Sequence, residues 1–119
     1  MEDHQKEEAN KIQHYCQEKL GTVILEVTDL YFNQRPKLVA SISIPRQQHN
    51  KYIVTFTFGI YGYPISILYE ILHAPSMESE PPRELMQGIM NLIYMKLKKS
   101  DEQRESEVIV HLTYRNEKG

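Results

Sequence analysis

Apolar residues recur every three or four positions through residues 4–20, where Ala9, Ile12, Cys16 and Leu20 share one helical face and Glu and Lys fill the rest. Gly21 follows at once, at the place where a helix commonly ends in a left-handed residue. The period then changes to two. Val23, Leu25, Val27 and Tyr31 alternate with Glu26 and Thr28, which predicts a strand over 22–32. After the polar turn Asn33-Gln34-Arg35-Pro36, a second run from Lys37 to Ile44 sets Leu38, Ala40, Ile42 and Ile44 against Ser41 and Ser43. The pair reads as an antiparallel hairpin, closed by Pro45 and followed by a solvated connection over 46–50.

The clearest alternation lies further on. Tyr52, Val54, Phe56, Phe58 and Ile60 form one face of a third strand, with Thr55 and Thr57 on the other. Tyr61-Gly62-Tyr63-Pro64 turns the chain, and Ile65, Ile67, Tyr69 and Ile71 continue the pattern in a fourth strand to about His73. An acidic loop from Ala74 to Glu80 leads to Pro81-Pro82-Arg83-Glu84, the opening of a second helix that runs to about Lys99. Asp101–Glu107 is a charged connector. Val108, Val110, Leu112 and Tyr114 predict a last strand, and 116–119 a short polar tail. The resulting expectation is one α+β domain over 1–119, with a mainly antiparallel four- to five-stranded sheet, two helices and the order α-β-β-β-β-α-β.

Length and charge limit what such a domain does. The chain has 119 residues, 25% of them charged, with a formal charge of −2. No third of it holds the basic excess of a phosphate-backbone binder, which argues against nucleic acid. The eighteen residues from Tyr52 to Tyr69 lack formal charge, but Pro64, two glycines and the alternating threonines suit a strand and not a membrane-spanning helix. The N-terminus is acidic without an apolar core and Cys16 is the only cysteine, so a cytoplasmic setting is expected.

The order helix, three strands, helix resembles that of the double-stranded RNA-binding domain. That family begins its second helix with a basic patch, where this chain has Glu78-Ser79-Glu80-Pro81-Pro82-Arg83-Glu84. The resemblance is one of element order, and the acidic residues speak against duplex RNA. In the same architectural sense the chain is similar to small α+β proteins of bacteriophage neck and tail rings.

Catalytic and metal chemistry find little support. No pair of cysteines, HExxH spacing, phosphate-binding glycine loop or GxSxG elbow occurs, and His14 and Cys16 lie two apart on a helix and point away from each other. Neither an enzyme nor a cofactor is expected. Two features suggest contacts with other proteins. The second helix carries Leu85, Met86, Ile89, Met90, Leu92, Ile93, Tyr94 and Leu97 over more than half its circumference, more than one sheet face hides, which predicts a subunit or partner interface of Met86, Ile89, Met90, Ile93, Tyr94 and Leu97. Tyr52, Tyr61, Tyr63 and Tyr69 cluster on the third and fourth strands, either holding a hairpin together or lining a ligand or partner surface. The expected function is a non-catalytic, homo-oligomeric protein that works through protein–protein contacts with itself and with another protein. A small-ligand-binding module, with its pocket between sheet and second helix, and a ring component of a larger assembly stand as alternatives.

Overall fold

A computed structural model describes residues 2–44, 51–102 and 110–113. The chain is α+β, and its first feature is a nearly continuous helix: α1 (Glu2–Tyr15), a π-helical turn (Cys16–Leu20) and α2 (Gly21–Phe32). Strands β1 (Val39–Ser43), β2 (Tyr52–Ile60) and β3 (Tyr63–Ile71) follow, then α3 (Glu84–Glu102) and a short β4 (Val110–Thr113). The sheet runs β1-β2-β3-β4, antiparallel throughout except that β4 lies parallel to β3.

Residues 22–32 are therefore helix and not the first strand of a hairpin, and the expected order α-β-β-β-β-α-β loses its first strand. The buried set in this stretch is Ile24, Val27, Thr28 and Phe32, at helical spacings, whereas Leu25 and Tyr31, counted inward by an alternating pattern, are exposed. Val39–Ser43 pairs instead with β2, with Val39 opposite Thr57 and Ser43 opposite Ile53. Pro45, residues 46–50, the connector from Gln103, and Tyr114 onward lie outside the described residues.

Gly21 does not end a helix. Its backbone is right-handed helical (φ −59°, ψ −40°), and its N–H bonds the Cys16 carbonyl five residues back, which closes the π turn. The left-handed terminus lies twelve residues on at Asn33 (φ 54°), where the Thr28 carbonyl accepts N–H groups from both Asn33 and Gln34. Glycine at 21 serves close packing: a Cβ there would stand 3.2 Å from Leu38 Cδ2. Because that neighbour is the free end of a flexible side chain, Gly21→Ala should raise stability by up to about 1 kcal/mol through helix propensity. A denaturation midpoint that falls instead would show that Leu38 cannot yield.

Both helices cover one sheet face. Tyr52, Val54, Phe56, Phe58 and Ile60 of β2 and Ile65, Ile67, Tyr69 and Ile71 of β3 are buried beneath them, joined by Ile12, Tyr15, Cys16, Leu20 and Ile24 of the first helix and Leu85, Ile89 and Ile93 of α3. The opposite face presents Val39, Ser41, Ser43, Thr55 and Thr57. The loop from Ala74 to Glu80 is tied along α1 and the π turn. Glu8 Oε2 accepts the Ala74 N–H (3.2 Å), Tyr15 donates its hydroxyl to the Ser79 carbonyl (3.2 Å), and Lys19 pairs with Glu80 (2.9 Å). These anchors sit seven and four residues apart, on one side of the helix. Among the described residues no helix is long and apolar enough to cross a membrane.

Candidate functional site

The six residues expected to form an interface on the second helix divide between inside and outside. Ile89 and Ile93 are completely buried in the chain's own core, so they have no surface to offer a partner. Their positions, four apart and in line with Leu85, make the seam that meets the sheet. Met86, Met90 and Leu97 flank that seam and are half-buried. Tyr94 is outside, 53% exposed, and its neighbour Met95 is 51% exposed. Lys96, on the same helix, is buried at 2% exposure.

The tyrosine cluster divides in the same way. Tyr52 and Tyr69 lie on the buried face of their strands, and Tyr63 is half-buried. Tyr52 donates its hydroxyl to Glu8 Oε1 (3.2 Å). Burial first, and the Glu8 carboxylate second, push its phenol above the ordinary value, so it stays protonated at neutral pH. Tyr52 and Tyr69 therefore belong to the core, and no surface unites all four tyrosines.

Tyr61 is the exception. It occupies, with Gly62, the two-residue turn between β2 and β3, and both have left-handed backbones (φ 53° and 84°). Such turns favour Asn-Gly, because a bulky side chain at positive φ is strained by roughly 1–2 kcal/mol. Three contacts hold Tyr61 there. Its hydroxyl donates to the Phe32 carbonyl (2.6 Å), one of the groups a helix C-terminus leaves unsatisfied. Its N–H donates to Gln34 Oε1 (3.2 Å), and its ring meets Phe32 edge-on at 6.4 Å. Phe32, itself buried, also packs against Tyr94 with ring centroids 4.8 Å apart. The end of α2, the hairpin turn and α3 thus converge on Phe32, leaving Tyr61 (54% exposed) and Tyr94 on the surface. Nothing in the spacing of Phe32, Tyr61 and Tyr94 along the chain announces this cluster.

The remaining candidates carry no assembled chemistry. Cys16 is buried, and that burial pushes its thiol up to about 12, far from the thiolate a nucleophile requires. Among the described residues no three His, Cys, Asp or Glu side chains gather to hold a metal. A void between the sheet and the helices, lined by Leu20, Ile24, Phe56, Ile67, Leu85 and Ile89, is about 10 Å³, room for no more than a water. A shallow groove of about 430 Å³ follows the outer side of α2, where Leu25 and Glu26 lie beside the exposed Asp29–Arg35 ion pair (3.3 Å). An exposed pair of this kind contributes little and leaves the groove without a fixed charge pattern. The chain matches no protein-family model, no curated protein and no solved structure.

Proposed function

We propose that this chain is a non-catalytic, cytoplasmic protein-interaction domain that works as a homo-oligomer and also engages another protein. One observation carries the reading: Tyr61, Tyr94 and Met95 are each more than half exposed, and both tyrosines rest on the buried Phe32. The two tyrosines, held on Phe32, lose little freedom on binding, and tyrosine is favoured at such contacts because its ring is buried while its hydroxyl finds a polar partner. The binding surface is thus narrower than the whole apolar girth of α3 and lies around Phe32, on which Tyr61 of the β2–β3 turn and Tyr94 of α3 both rest.

Absolute molar mass across a concentration series tests the reading. The parent should exceed the 14.0 kDa of one chain. Tyr94→Glu combined with Met95→Glu should lower the mass without unfolding the chain, because both side chains are outside the core. A parent at one-chain mass at every concentration overturns the homo-oligomer.

A further inference from the structure

We infer that the free edge of β1 is a strand-pairing site for a second copy of this chain, the two β1 strands running antiparallel across a twofold axis. The inference rests on the self-association proposed above but uses a different surface. The direction of the edge groups follows from the hairpin. Ile60 and Tyr63 close a two-residue turn and so exchange hydrogen bonds, as do Phe58 with Ile65 and Phe56 with Ile67. The alternate residues of β2, Ile53, Thr55 and Thr57, therefore turn their backbone groups toward β1, where they face Ser43, Ser41 and Val39. Ala40 and Ile42 are left with their N–H and C=O groups pointing outward. One contact bears this out: the Ala40 carbonyl accepts a bond from the Gln13 side chain (3.1 Å), and among the described residues no strand lies on that side.

Three observations favour a second copy as the occupant. From Leu38 to Ile44 the strand has no charge and no proline, two of the devices that keep edges apart, although it is short and Gln13 of α1 reaches one of its carbonyls. Its side chains alternate symmetrically about Ser41. Placing Ser41 opposite its own symmetry mate matches the whole strand to itself, with Ala40 against Ile42, and Val39 against Ser43. The core also fails to close at this edge. Leu38, Ala40, Ile42 and Ile44 are only half-buried, whereas every inward residue of β2 and every inward residue of β3 from Ile65 to Ile71 is buried. A symmetry-related copy would lay an identical apolar row beside this one and join the two sheets. A five-residue strand pair covers less than a standard interface of roughly 1,600 Å², so the dimer is weak and concentration-dependent. Gln13 competes for one of its carbonyls.

Sedimentation equilibrium of the full chain at high concentration tests this with exposed residues alone. Val39→Lys with Ser43→Lys sets lysine opposite lysine twice in this register and should weaken the dimer about tenfold or more. Val39→Lys with Ser43→Glu sets opposite charges together and should restore the parent constant to within about threefold. Gln13→Ala, which frees the Ala40 carbonyl, should tighten association. A monomeric parent overturns both this inference and the homo-oligomer. A dimer broken by Tyr94→Glu with Met95→Glu but indifferent to both Val39/Ser43 variants overturns this one alone, as does a Lys/Glu variant no better than the Lys/Lys one.

Discussion

Ile93→Glu should abolish cooperative folding, while Met95→Glu two residues away leaves the unfolding free energy within about 0.5 kcal/mol of the parent. Ile93 has no exposed surface and sits in the layer where α3 meets the sheet. Losing its side chain alone costs about 2–5 kcal/mol, and an unpaired carboxylate in the same place adds several more. Together these rival the whole stability of a small domain, roughly 5–15 kcal/mol. Met95 is 51% exposed, so a carboxylate there reaches water. Tyr94→Glu falls between them, at about 1 kcal/mol, because it gives up its ring contact with Phe32. Circular dichroism under urea separates the three. A folded Ile93→Glu protein whose only defect is a smaller mass would put Ile93 in a subunit contact and contradict the packing described here.

That contrast also shows how the site was hidden within a legible fold. β2 and β3 were readable because each alternates strictly, and the same alternation places Tyr52 with Val54 and Tyr69 with Ile67 on the core side. Grouping the tyrosines by proximity in sequence overrode that parity. On α3, Leu85, Ile89 and Ile93 follow a four-residue step, which marks the seam; Met86, Met90 and Leu97 are its flanks, and Tyr94 lies outside them. The failure over 22–32 has a different cause. Thr22, Val23, Ile24, Val27, Thr28, Tyr31 and Phe32 are β-branched or aromatic, so local preference favours a strand, and packing on the sheet overrides it. The helix phase misleads as well. Cys16, Leu20, Ile24, Thr28 and Phe32 recur every four residues, and with Ile12 that step outruns a 3.6-residue turn by about two residues over five turns. The π turn absorbs about one of them and keeps the stripe on the sheet. The Phe32–Tyr61–Tyr94 cluster was illegible for a plainer reason: its members lie on three elements whose meeting is a property of the tertiary fold.

The π turn also governs the largest expected response to pH, because it buries Cys16. The thiol's ordinary value of 9.0 rises to about 12 in the folded chain, since burial penalises the thiolate. Between pH 9 and 12 the unfolded chain therefore gives up this proton while the folded chain keeps it. With fewer protons bound on unfolding, stability declines as pH rises through that window. The stabilisation is fully present below pH 9 and gone above 12, and three units correspond to at most about 4 kcal/mol. Tyr52, also raised, adds to the decline above its ordinary 10. Cys16→Ala isolates the thiol, because every other group is common to both proteins. At pH 7 the variant should be less stable by about 1–2 kcal/mol, through the contacts the sulfur made. Its stability should then fall less steeply than the parent's between pH 9 and 12, so that the curves converge and cross in urea denaturation. Parallel curves would mean that Cys16 titrates in the folded chain as it does in the unfolded one, and a native protein that reacts at once with a thiol reagent at pH 8 would say the same. Both results would place the thiol outside the core, and with it the register of the helix on either side of the π turn.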